Sequence, residues 1–75
     1  MMAKIERETA KAVMVELEYD GPCGLRGKQV WLPKSQVNIE EGFVTKIRAW
    51  LLESKEKELP AGSYGFCWDT EAILA

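Results

Sequence analysis

The sequence predicts an α+β fold: a small antiparallel sheet of four or five strands, barrel-like and SH3- or OB-like in size, crossed by one short amphipathic helix. Three observations carry this expectation. Residues 9–19 place Val13, Val15, Leu17 and Tyr19 on one parity and Glu16 and Glu18 on the other, the period of a strand with one wet face. The connections that follow are short and rich in Gly and Pro, which suits hairpins and not the long crossovers of a parallel sheet. Past residue 45 the period changes, and Ile47, Trp50 and Leu51 fall at i, i+3 and i+4 as on a helix.

Taken in order, the first strand ends where Asp20, Gly21 and Pro22, then Gly24 and Gly27, introduce turn geometry, so residues 20–27 read as a loop. Residues 28–32 form a second short strand ended by Pro33, and residues 35–39 a third, with Val37 and Ile39 on one face. Glu40, Glu41 and Gly42 make a hairpin turn into a fourth strand over residues 43–47. The helix then places Trp50 on its buried face, pairs Glu53 with Lys57 four residues on, and stops at Leu59-Pro60. After Pro60, Tyr64, Phe66 and Trp68 alternate with Gly65, Cys67 and Asp69, the pattern of a fifth strand with one aromatic face. The whole, residues 1–75, is expected to be a single domain with residues 1–7 and 70–75 frayed.

Ten Lys and Arg stand against twelve Asp and Glu, a net charge of −2. That is too little positive charge for the footprint of a duplex-DNA binder and too little negative charge for a mimic of the nucleic-acid backbone. No apolar stretch approaches the roughly 20 residues needed to span a bilayer, and the first residues carry Lys4, Glu6, Arg7 and Glu8 in place of a secretory signal. The expected compartment is a reducing cytoplasm, where Cys23 and Cys67 are expected to be free thiols, with a disulfide between them as the alternative in an oxidising setting.

The sequence contains no histidine, which removes the commonest general base and the usual partner of a nucleophilic Ser or Cys. Two cysteines without CxxC spacing do not make a zinc site. Gly21-Pro-Cys-Gly-Leu-Arg-Gly27 lacks the Lys-Ser ending of a phosphate loop. Ser54 and Lys57 match the SxxK spacing but lie at the charged end of a short helix with no companion motif. The pairs Glu16/Glu18 and Glu40/Glu41 read as solvated charges. The expectation is therefore a non-enzyme with no catalytic residue, no metal site and no cofactor.

Binding is the remaining chemistry. Trp31 lies on the parity opposite Val30 and Leu32, so either it projects from the sheet or both faces of that strand are covered. Tyr64, Phe66 and Trp68 would anchor a protein partner, stack bases or complete the barrel. With Arg26 and Lys28 at the rim, Trp31, Tyr64, Phe66 and Trp68 are the candidate partner-binding set. Lys28, Lys34, Lys46 and Arg48 are the candidate phosphate contacts if the ligand is single-stranded nucleic acid. A third expectation is self-association through an uncovered edge strand.

Glu8-Thr-Ala-Lys-Ala-Val13, Val30-Trp-Leu-Pro-Lys-Ser-Gln-Val37 and Ile47-Arg-Ala-Trp-Leu-Leu-Glu-Ser-Lys55 together resemble a group of small proteins carried by bacteriophages and other mobile elements, over residues 8–58. The resemblance implies a phage or prophage context. Small accessory proteins of that setting act stoichiometrically on host machinery, inhibitors of bacterial immunity of the anti-CRISPR kind among them, and others bind single-stranded nucleic acid. The expected partner is accordingly a host or phage protein, with single-stranded nucleic acid as the alternative and no membrane.

Overall fold

The computed structural model describes residues 3–74, which form a curled mixed sheet closed into a half-barrel, with one helix. The strands are β1 (Ala3–Glu8), β2 (Ala12–Gly21), β3 (Gly24–Pro33), β4 (Val37–Glu40), β5 (Phe43–Arg48), β6 (Gly65–Phe66) and β7 (Ile73–Leu74), and the helix is α1 (Ala49–Glu56). Short 3-10 turns at Lys34–Gln36 and Thr70–Ala72 precede β4 and β7. Strand order is β3-β2-β1-β5-β4, with β6 paired to the far end of β2 and β7 paired in parallel to the end of β5.

The alternation read from the sequence is the alternation that builds the core. Val13, Val15 and Leu17 of β2 are buried in one cluster with Val30 and Leu32 of β3, Val44 and Ile47 of β5, and Leu51 and Leu52 of α1, and Tyr19 is buried at the end of β2 beside Phe66. Full burial of one such aliphatic side chain stabilises by about 1.5–3 kcal/mol, so this face outweighs any surface ion pair in the molecule. The bridge between Lys34 and Glu8, partly exposed on both sides, is of the weak kind.

Five segments differ from the sequence expectation, and the simplest is residues 35–36, read as the start of a third strand, which belong to a 3-10 turn so that β4 begins at Val37. Residues 20–27 are not a loop: β2 and β3 stay in register from Ala12↔Pro33 to Gly21↔Gly24, leaving Pro22 and Cys23 as the turn. Pro22 presets φ for the turn and Gly24 takes φ +104°, a region side chains resist.

Strand β1, most of which falls in the stretch of residues 1–7 expected to fray, instead lies between β2 and β5. Only Ala3 and Ile5 face the core before a bulge at Glu6 turns Arg7 outward, so the period is broken too soon to read. At the other end Ile73–Leu74 pairs with Ile47 and Arg48.

Finally, Ile47 belongs to β5 and not to the helix, so the helical face starts two residues later and buries Leu51 and Leu52. Trp50, expected in the core, is 54% exposed. At the end of this helix Lys55 pairs with Glu58 at 3.7 Å, and the expected pair of Glu53 with Lys57 does not form.

The turn joining β4 to β5 tests the local backbone. Glu41 has φ +51° and Gly42 φ +83°, the pair of positive values a tight hairpin of this twist demands, and Glu41 is a residue that resists them. Glu41→Asn should stabilise by about 0.5 kcal/mol and Gly42→Ala should destabilise by about 1 kcal/mol, read from urea midpoints at constant slope. Equal effects of either sign would show that the turn does not hold this geometry.

Candidate binding surface

The expected aromatic row does not form one exposed face. Strand β6 is only two residues long, and the Trp68 amide donates to the Phe66 carbonyl at 3.1 Å, a tight turn that ends the alternation. Phe66 pairs with Tyr19 in register and meets it edge-on, ring centroids 6.5 Å apart at 88°. Trp68 packs against the core and its Nε1 donates to the Ala72 carbonyl at 3.2 Å. Both rings therefore complete the barrel, and among the three only Tyr64, 88% exposed, is left to solvent. Its backbone is held, since the Tyr64 amide donates to the Asp20 carbonyl at 2.9 Å.

Trp31 does project from the sheet, 42% exposed on the outer face of β3. Opposite it stands Met14 on β2, and opposite Met14 stands Arg7 on β1, so an aromatic ring, a thioether and a guanidinium run in a row across three strands. This row was hidden in the sequence because Arg7 joins it only through the bulge in β1. Among the described residues the other large exposed apolar side chains are Leu25, Ile39 and Trp50. Extending the strand parity through residues 20–27 would have placed Leu25 on the face of Trp31.

Arg26 and Lys28 lie on the other face of β3, in register with the buried Tyr19 and Leu17. They flank the edge of the sheet and form no ion pair among the described residues. The outer face beside them is acidic: Glu16, Glu18 and Asp20 of β2 stand opposite Gln29, Gly27 and Leu25.

The four candidate phosphate contacts do not converge. Lys34 is paired with Glu8, Lys46 stands on β5 opposite Asn38, Arg48 is paired in register with Leu74, and Lys28 is three strands away on β3. Two shallow depressions mark the surface. One of about 590 Å³ is lined by Glu40, Glu41, Phe43 and Thr45, and the other of about 410 Å³ by Ala10, Lys11, Pro33, Lys34 and Ser35.

Among the described residues no cluster of three or more Cys, Asp or Glu has a metal-holding arrangement, and no helix is long and apolar enough to cross a membrane. Both cysteines are free thiols. Cys23 sits exposed on the β2–β3 turn, and Cys67 is half-buried beside β2 with its amide donating to the Glu18 carbonyl at 2.9 Å. Burial pushes the Cys67 thiol above its ordinary value, and the carboxylates of Asp20 and Glu18 push it further.

No protein-family model, curated protein or solved structure matches this chain.

The tryptophans separate by role. Trp68→Ala should destabilise by about 2–4 kcal/mol, through lost packing and a lost hydrogen bond, whereas Trp50→Ala should cost about 1 kcal/mol or less by the same denaturant measurement. The reverse ranking would place Trp50 in the core.

The cysteines separate by reactivity, because the thiolate is the nucleophile. Iodoacetamide should label Cys23 well before Cys67 at neutral pH, and Asp20→Asn should quicken Cys67. A thiol raised on folding holds its proton more tightly folded than unfolded, so its contribution is present at neutral pH and fades as pH rises through the thiol range. The alkaline loss of stability should therefore be smaller in Cys67→Ser than in the parent chain.

Proposed function

We propose that this chain is a non-enzymatic accessory protein of phage type that acts by stoichiometric binding to a host protein and inhibits a host defence complex in the manner of an anti-CRISPR protein. The observation that supports binding is Trp31, held 42% exposed on a rigid sheet with Met14 and Arg7 in line beside it. Trp and Arg are the side chains most enriched among binding hot spots, and a ring fixed by strand pairing loses little freedom on docking. The host and the defence complex rest on the resemblance of residues 8–58 alone. Tyr64 is a second exposed ring, but it is held beside Asp20 at the far end of β2 from Met14, and Phe66 and Trp68 pack against the core.

Single-stranded nucleic acid is the weaker reading, because a backbone track needs cations of one sign along one groove. Here Lys34 is neutralised by Glu8, and Lys28 is far in strand order from Lys46 and Arg48.

Two measurements decide between them. Expression in an immune bacterial host should restore plaque formation by a targeted phage, and Trp31→Ala, still folded, should lose at least about tenfold of that effect, or about 1.4 kcal/mol of binding. Titration of the tryptophan fluorescence with a single-stranded oligonucleotide should show no salt-sensitive quenching. Quenching that weakens steeply with salt, with no effect on plaque formation, would replace protein binding by nucleic-acid binding.

A further inference from the structure

We propose that the free edge of β3 takes up an acidic, extended segment of a protein partner as an added antiparallel strand, with Arg26 and Lys28 meeting its carboxylates. The inference deepens the protein-binding reading above and rests on it.

The direction of the backbone groups on β2 shows which amides of β3 are free. The carbonyls of Glu18 and Asp20 accept from the Cys67 and Tyr64 amides at 2.9 Å, and the Ala12 carbonyl accepts from the Thr9 amide at 2.8 Å. The even-numbered residues of β2 thus turn their backbone groups away from β3. Their partners in register, Leu25, Gly27, Gln29 and Trp31, turn theirs the opposite way, toward the open side of the sheet. No described strand pairs with that side. The next outward position is Pro33, which has no amide to donate and ends the row.

The two ends of the sheet are guarded unequally. Strand β4 is four residues long and carries a register shift between Asn38 and Ile39, the devices that blunt an edge. Strand β3 is ten residues long and pairs with β2 without a shift. Apart from Pro33 at its end, its deterrent is charge, Arg26 and Lys28 on the core-side face at the rim, neither of them in an ion pair among the described residues.

That charge selects the occupant. A second copy that used all four outward-facing residues in antiparallel symmetry would pair Gly27 with Gln29 and Leu25 with Trp31. Lys28 would then stand directly opposite its own mate, in the closer type of cross-strand pair, where like charges repel. An added segment with Asp or Glu two residues apart meets the same two positions with opposite charge. On its other face the segment would lie beside Leu25, Gln29 and Trp31, so apolar residues suit the intervening positions. The carboxylate of Glu16 lies over Gly27 on that outer face and disfavours acid there.

The probe is a capped peptide of about eight residues that alternates Glu with Val, set against the same peptide with Lys for Glu. Titrated into the isotope-labelled protein, the Glu peptide should shift the amides of Leu25, Gly27, Gln29 and Trp31 and slow their exchange with solvent. Arg26→Glu with Lys28→Glu should lose at least tenfold in affinity for it and gain for the Lys peptide. Gln29→Pro removes an amide that faces away from β2, so it should keep the fold and abolish binding.

Equal binding of both peptides, undiminished binding to Gln29→Pro, or slowed exchange confined to other strands would overturn the proposal. So would protection of those amides without peptide in a chain that sediments as a dimer. Full restoration of plaque formation by Gln29→Pro would overturn the edge as the docking site and leave the protein-binding reading intact. Absence of any effect by the parent chain would remove that reading itself.

Discussion

Strand β2 pairs with β3 along its whole length on one side and with β1 and then β6 on the other, and each of its odd-numbered side chains from Val13 to Tyr19 is buried. Strand β2 pairs with β3 without a bulge and its side chains alternate throughout, so a slip of one residue would turn all four to solvent and bring Met14, Glu16 and Glu18 inside. Burying unpaired carboxylates is far more costly than burying nothing, and the register is held by that difference. Everything else is placed relative to this strand. Strand β1 bridges β2 to β5, the β4–β5 hairpin brings Val44 and Ile47 against the same core, and α1 follows β5 directly with Leu51 and Leu52 as its inner face.

The same register distributes what is left outside. Because the odd positions of β2 point in, its even positions put Met14 beside Trp31 and lay Glu16, Glu18 and Asp20 along the rest of the outer face. Arg26 and Lys28 then fall to the opposite face at the rim. One net charge of −2 thus conceals an acidic face and a basic rim on a single hairpin. Recognition depends on such local fields far more than on the total.

The short tail after the helix is a structural device as well. Phe66 and Trp68 close the end of the half-barrel that β1 does not cover, and Ile73 packs against the core from the far side of β5. In a chain of 75 residues, whose core is small for its surface, two large rings are a substantial part of the apolar area removed from water. Their aromaticity is accounted for by packing, which leaves Trp31, Trp50 and Tyr64 as the exposed rings among the described residues.

Local pattern was enough for the α+β class, for a strand read over residues 9–19 of which 12–19 lie in β2, for the turn at residues 40–42 and for the existence of a helix near residue 50, because periodicity and turn chemistry act over a few residues. It was enough, too, to see that Trp31 and its neighbours Val30 and Leu32 take opposite faces. The place of β1 between β2 and β5, the extension of the hairpin through Gly24 and Gly27, the outward turn of Trp50 and the inward turn of Phe66 and Trp68 all depend on partners far along the chain. A strand with two inward residues and a bulge carries no period of its own, and Gly-rich sequence pairs as a strand only when a neighbour already fixes its backbone. The open edge of β3 is of the same kind: no residue in it signals an edge, and only the order of the strands leaves its amides unpaired.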